Sequence, residues 1–346
     1  MSLIPNSGGR YKLVAVASPV KDGHVLEIQD LSVNFQTGGG LLRALRHVSM
    51  DIPARRIVGL VGESGCGKST IINAILNLLA ENAVIQNGVI DFQGQDILAM
   101  TQDELRAIRG NRISVVFQDP MTSLNPVLSV GRQMSDIQYR DNLSKQAKME
   151  RAARMLTRVG ISDADKRLKN YPHQFSGGMR QRIAIAMALI AQPTLLIADE
   201  PTTALDATLE IQIIERLRRL HEDIGCSILF VSHHLGLVAE FCDQVVVMYA
   251  GETVENGAVR DIFHRAAHPY TRALLECDPA RIREKTRILP TIPGEIPDLV
   301  NLDDQCIFTE RCPIKQHGCP LTIPPAREIE PGHFVRCHLS ELEVAA

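Results

Sequence analysis

Apolar and polar positions alternate from Val25 to Phe35, and a second run of the same kind covers Leu42 to Ile52 after a Gly38-Gly39-Gly40 turn. Together they predict an antiparallel β layer. Arg56 to Val61 then reads as a strand buried on both faces, and Thr70 to Leu79 repeats at helical spacing. Strand, helix and strand come next at Gly88 to Phe92, Asp103 to Ile108 and Ile113 to Phe117, the helix opened by Thr101 with Glu104 three residues on, as a capping box requires. Val127 to Tyr139 and Lys145 to Val159 are charged and helical in period, the second closed by Gly160. These predict a helical insert. Beyond it lie a helix over Arg180 to Ala191, an apolar strand from Pro193 to Pro201, a helix over Ala207 to Leu220 behind Asp206, and a buried strand at Ser227 to Val231. A hairpin of Gln244 to Tyr249 and Glu252 to Glu255 around Ala250-Gly251 closes the order. The alternation is that of an α/β chain.

Length adds that 346 residues exceed one typical domain, so a large domain with an appended piece is expected. Aromatic residues at 4% and the absence of Trp leave little for stacking bases, and a net charge of -3 lacks the basic surface that nucleic acid or an anionic membrane needs. No nucleic-acid partner is expected. The longest apolar run, Ile183 to Ala191, is too short to span a bilayer, so any membrane association goes through partners. Leu13 to Ser18, behind Arg10 and Lys12, imitates a secretion signal with too short an apolar core, and residues 1–23 read as a loose leader.

Candidate chemistry begins at Gly62-Glu63-Ser64-Gly65-Cys66-Gly67-Lys68-Ser69-Thr70, which fits the phosphate-loop template at every fixed position and stands between a predicted strand and a predicted helix. Its glycines let successive N–H groups turn toward a polyphosphate, Lys68 reaches the β and γ phosphates, and the Ser69 hydroxyl completes the coordination of Mg²⁺. Gln118, where Pro120 ends a strand, can reach Mg²⁺ or an attacking water. Asp199 and Glu200 end an apolar strand on opposite faces; Asp199 suits the outer shell of Mg²⁺ and Glu200 a water attacking the γ-phosphate. His233 can hydrogen-bond a γ-phosphate oxygen. Ser176-Gly177-Gly178-Met179 opens a helix and is either a second anion-binding terminus or a plain N-cap. Phe35 is either an adenine platform or a core aromatic.

In this order the motifs resemble an ATP-binding-cassette ATPase over roughly residues 24–265. The resemblance implies a cassette with a mixed central sheet, an antiparallel β subdomain and a helical subdomain at about 120–190. It also implies roles: phosphate loop, Q-loop Gln118, signature Ser176 to Gln181, Walker B Asp199, catalytic Glu200, D-loop Ala204-Leu205-Asp206 and switch His233. Members act as head-to-tail pairs in which one subunit's signature completes the other's ATP site. Met179 stands where Gln is usual, as in the peptide-importer branch, and His234 where Asp is common. Phe175 to Arg182, Val247 to Gly251, His268-Pro269-Tyr270-Thr271, Ile292-Pro293-Gly294 and Cys306-x-Phe308-x-x-Arg311-Cys312-Pro313 resemble oligopeptide/dipeptide permease ATPase subunits nearly end to end. That resemblance implies two membrane-spanning permease subunits, a second related ATPase or a second copy, an extracytoplasmic solute-binding protein, and a place on the cytoplasmic face of the inner membrane. Nickel, opine-like and oligosaccharide importers share the branch. Cassette ATPases of DNA repair or translation are the alternative, against which stand a single phosphate loop and no sustained heptads before Ser176.

The last segment, 266–346, gathers Cys306, Cys312, Cys319 and Cys337, four of the chain's eight cysteines. Their spacing is unlike a zinc knuckle, and an ATP-containing compartment disfavours disulfides. Four thiolates suit a [4Fe-4S] cluster, which some members of the resembled family hold; zinc or plain reduced thiols are the alternatives. Cys66 reads as a small residue beside Lys68, open to oxidation.

Overall fold

The computed structural model describes residues 4–5, 11–12, 23–119, 123–203, 206–279, 289–300 and 302–338. It divides into two compact units, one of residues 1–53, 58–100 and 233–346, the other of residues 54–57 and 101–232. Most of the predicted leader falls outside the described residues; within it β1 (Ile4–Pro5) and β2 (Tyr11–Lys12) pair antiparallel.

In the first unit the predicted antiparallel layer is a sheet of β3 (His24–Thr37), β4 (Gly40–Pro53), β6 (Ala83–Phe92) and β7 (Gln95–Asp96) in the order β4-β3-β6-β7. Alternation slips midway along each long strand. Asp30 and His47 hold φ of 50° and 48°, and the pairing moves from Ile28 opposite Met50 to Leu31 opposite Val48. The buried set shifts with it, from Leu26 and Ile28 to Leu31 and Val33. His47 Nδ1 lies 2.6 Å from Asp30 Oδ1, so the two bulged residues hold each other.

This unit also holds a mixed sheet. Every residue of β5 (Ile57–Val61) is buried, as its unbroken apolar run predicts. Parallel to it runs β11 (Gln244–Tyr249), Val247 opposite Val61, which turns at Ala250-Gly251 into the antiparallel β12 (Glu252–Ala258). The tail then adds β14 (His333–Arg336) and β13 (Ala326–Glu330), giving β13-β14-β12-β11-β5. The helix after the loop runs Lys68–Ile75, earlier than its apolar period suggests, because Asn77 takes a φ of 49° and stops it.

In the second unit β8 (Ile113–Val116), β9 (Leu195–Asp199) and β10 (Ser227–Val231) are parallel in the order β10-β9-β8. The predicted capping box opens the helix Gln102–Ile108, with Thr101 and Glu104 reciprocally bonded. Helices Val130–Ile137, Lys145–Arg158 and Gly177–Leu189 supply the helical insert. Helix Ala207–Ile224 outlasts its apolar pattern by a polar turn and stops at Gly225, φ 75°.

Candidate functional site

Where β5 ends, the chain turns through Gly62, Gly65 and Gly67, whose φ values are 154°, 80° and 104°. A Cβ at Gly62 would collide with the Met248 carbonyl oxygen, and one at Gly67 would meet Leu45 Cδ2 at 2.8 Å. Glycine is therefore required at both positions by space as well as by torsion. Lys68, at the head of the helix, folds back into the loop, its Nζ donating to the carbonyls of Gly62 at 2.8 Å and Glu63 at 3.0 Å. An ammonium ringed by a glycine loop at a helix N-terminus is a place for a polyanion. Ser69 is exposed on the first helical turn, with Ser64 and Gly65 exposed and Thr70 half-buried. Cys66 corrects the expectation: it is 1% exposed, its Sγ 3.7 Å from Lys68 Nζ, and burial raises its thiol although Lys68 pulls the other way. It is a packing group, and its carbonyl accepts from Gly251 N–H at 3.0 Å.

Glu63 has partners that the loop motif does not announce. Arg311, from the cysteine-bearing tail, places Nη1 2.9 Å from Glu63 Oε2 and Nη2 3.2 Å from Oε1. Its remaining donors go to Tyr249 Oη at 3.2 Å, Ile292 O at 3.0 Å and Pro293 O at 2.9 Å, so the guanidinium is fully used. Burial works against its charge, but the Glu63 carboxylate and Tyr249 hydroxyl outweigh it and raise its pKa. Tyr270 Oη accepts from the Glu63 N–H at 3.1 Å. Tyr249, Tyr270 and Phe308 pack ring against ring with centroids 4.6 to 5.5 Å apart. Sequence reasoning missed this constellation; its signal was Arg311 standing in the same short stretch as Phe308 and Cys312.

In the second unit β8 and β9 run in register, so their carboxyl ends lie side by side and the residues just beyond the two strands can meet. Gln118 and Glu200 do meet, Nε2 donating to Oε2 at 2.8 Å, and Thr203 Oγ1 donates to the same oxygen at 2.9 Å. Gln118 thus commits its amide nitrogen to a carboxylate. Glu200 stands at φ 45°, its N–H bonded to Val231 O at 2.9 Å, just past the half-buried Asp199. Ser176 Oγ accepts from Met179 N–H at 3.4 Å and caps a helix that begins at Gly177, ahead of the predicted Arg180, because a capped first turn accommodates Gly177 and Gly178. Asp206 caps the next helix through Leu209 N–H at 2.9 Å. Ala204, Leu205 and Pro120 lie outside the described residues.

Phe35 is half-buried in β3 opposite Leu42 of β4. His233 and His234 are exposed, their rings edge-on with centroids 5.8 Å apart. Of the tail cysteines, Cys306, Cys319 and Cys337 are buried and Cys312 half-buried. Cys306 N–H donates to Cys319 O at 3.0 Å, and Gln316 N–H approaches Cys319 Sγ at 3.4 Å. Burial pushes the Cys306 thiol up to about 11, with Cys319 and Cys337 adding to it. Among the described residues no three of these sulfurs lie within 4.8 Å of one another. A mononuclear zinc, with Zn–S near 2.3 Å, would need them about 3.8 Å apart, so the placement does not suit zinc.

Two family models match the chain: ABC transporter over residues 45–203, and oligopeptide/dipeptide transporter, C-terminal region, over residues 254–319. A probable peptide ABC transporter ATP-binding protein of Sinorhizobium fredii is 45% identical across 90% of this chain and 94% of its own. The dipeptide transport ATP-binding protein of Bacillus subtilis is 44% identical across 92% and 95%, and the oligopeptide transport ATP-binding protein of Escherichia coli 44% identical across 90% and 92%. Among solved structures, a dimeric ATP-binding cassette in a post-hydrolysis state with ADP and Pi matches 68% of this chain and 99% of its own, with a TM-score of 0.61 at 28% identity. A component of an ABC transporter complex from Clostridium perfringens matches 70% and 92%, also with a TM-score of 0.61 at 28% identity.

Proposed function

Because the chain belongs to the ATP-binding subunits of ABC transporters that carry the oligopeptide/dipeptide C-terminal region, we propose that it hydrolyses ATP to energise the uptake of short peptides. It works on the cytoplasmic face of the inner membrane beneath two membrane-spanning permease subunits, paired with a second related ATPase or a second copy, and is served by a solute-binding protein. No helix among the described residues is long and apolar enough to cross a membrane. The observation that carries the reading is that likeness to peptide-transport subunits extends over nine-tenths of the chain, cassette and tail together.

In this reading Lys68 and the loop amides from Gly62 to Thr70 hold the phosphates, and Phe35 meets adenine. Ser69 and Gln118, with Asp199 behind them, would hold the Mg²⁺ that accompanies the nucleotide, and the ion would supply neutralisation of phosphate charge. Glu200 is the base for the attacking water and His233 a donor to the γ-phosphate. Ser176, Gly177, Gly178, Met179 and Asp206 serve the site of the opposing ATPase. The tail cysteines would hold a [4Fe-4S] cluster: four thiols, three of them buried, stand in one segment, and an N–H already points at Cys319 sulfur.

The test is reconstitution with the permease pair and the solute-binding protein in vesicles, measuring ATP turnover and uptake against short peptides, nickel and oligosaccharides. Peptide-dependent turnover and uptake are expected, both lost in Lys68→Ala. Stimulation by nickel or a sugar alone would reassign the cargo, and turnover unchanged in Lys68→Ala would remove the nucleotide site.

A further inference from the structure

Glu63 is held at two points by parts of the chain far from it in sequence. Its carboxylate takes a two-pronged grip from Arg311, and its N–H is bonded to Tyr270 Oη at 3.1 Å. Arg311 is itself fixed from outside the loop by the carbonyls of Ile292 and Pro293 and the hydroxyl of Tyr249. Gly294, at φ 80°, leaves only 3.1 Å between its missing Cβ and Arg311 Cγ, so the Pro293-Gly294 turn is shaped around this side chain. The Arg311 side chain is 5% exposed and the Glu63 side chain 25%. Glu63 meanwhile sits in the most pliable part of the nucleotide motif, with Gly62 before it and Gly65 after it. A glycine-rich loop loses more freedom than any other when it orders, and a ligand that must impose that order binds more weakly.

We propose that Arg311 is a positioning residue for the phosphate loop, gripping Glu63 so that the loop's N–H groups keep their phosphate-binding arrangement before nucleotide arrives. The proposal rests on the reading of that loop as the ATP site. A lysine cannot replace Arg311, since a single ammonium with three donors matches neither the paired carboxylate oxygens nor the five-way bonding.

Mg-ADP affinity of the purified chain, measured by calorimetry for Arg311→Met, Arg311→Lys, Glu63→Gln and the double variant Arg311→Met/Glu63→Gln, tests this directly. Arg311→Met and Glu63→Gln should each weaken Mg-ADP binding about tenfold, the double variant no more than either, and Arg311→Lys should not restore it. Amide hydrogen exchange at Ser64 to Lys68, read without nucleotide, should accelerate in Glu63→Gln and Arg311→Met alike. Unchanged affinity and unchanged exchange in Glu63→Gln, with only a lowered melting temperature in Arg311→Met, would mean that Arg311 merely folds the tail and would overturn the proposal. Should Arg311→Met not fold, Glu63→Gln decides alone, because it leaves the tail's own bonds to Arg311 in place. A native chain that bound no Mg-ADP would sink the nucleotide reading instead, and the exchange data would still report on Arg311.

Discussion

Glu200 occupies a left-handed backbone conformation, φ 45°, that costs a non-glycine residue on the order of 1–3 kcal/mol and persists where the surroundings hold it. Here they do, through Val231 O, Gln118 and Thr203. Glu200→Gln keeps an oxygen for both side-chain donors, so the variant should fold and bind Mg-ATP normally while turnover in the assembled transporter falls by about 10²–10⁴, the usual contribution of a general base. Single-turnover hydrolysis beside a binding titration checks it, and a normal rate would remove Glu200 from that role. Gly62 is the opposite case. Any Cβ there strikes Met248 O, so Gly62→Ala should lower urea-unfolding stability by about 1–3 kcal/mol, as overpacking does, and weaken nucleotide binding as well. Both residues were legible as candidates, the first from two acids ending an apolar strand, the second from the motif. The left-handed turn at Glu200 was not, because no local preference of glutamate asks for it.

Among elements, buried strands read most directly, since β5 and the residues after Ser227 in β10 are apolar runs too short for a helix. Helix ends read less well. The helix after the loop starts at Lys68 because loop geometry sets it, and Ala207–Ile224 continues through polar His221-Glu222-Asp223, where apolar period gives no guide. Helix Pro269–Glu276 has a cap that sequence reasoning passed over: His268 Nδ1 accepts from Tyr270 N–H at 3.0 Å. An accepting nitrogen cannot carry a proton. Burial, with Arg272 adding to it and Glu255 opposing, drives the His268 pKa from its ordinary 6.5 to about 4. Between those values the unfolded chain takes up a proton that the folded one refuses, so this contribution is intact above pH 6.5 and is lost as pH falls toward 4. The span corresponds to about 3 kcal/mol at most. His268→Asn retains a capping side chain without the titration, and thermal unfolding of both proteins from pH 7 to 4.5 should show a steeper acid loss in the native chain. Parallel pH curves would show that His268 does not set the slope.

At the scale of the whole chain, the tail is where composition said least and structure adds most. Four cysteines were visible as candidates for ligands, but that β13 and β14 would extend the sheet of β12, and that Arg311 would reach Glu63, depends on long-range pairing that no local period encodes. The segment carrying the cysteines therefore bears on the phosphate loop through Arg311, which lies between Cys306 and Cys312. Burial holds these thiols neutral, as the rise of Cys306 to about 11 and the raised Cys312 both express, while a cluster requires them as thiolates. On the proposed reading, cluster binding would release protons and stabilise the folded tail, and loss of the cluster would do the reverse. Protein made in iron-replete cells and purified without oxygen should be brown, with broad visible absorption and iron and sulfide in equal amounts. Cys312→Ser should bleach it and lower the melting temperature, and a ferricyanide-treated, chelated native sample should melt at the same reduced temperature. A colourless native preparation holding zinc or no metal, with a melting temperature indifferent to Cys312→Ser, would remove the cluster while leaving the ATPase and the Arg311 grip on Glu63 to stand on their own tests.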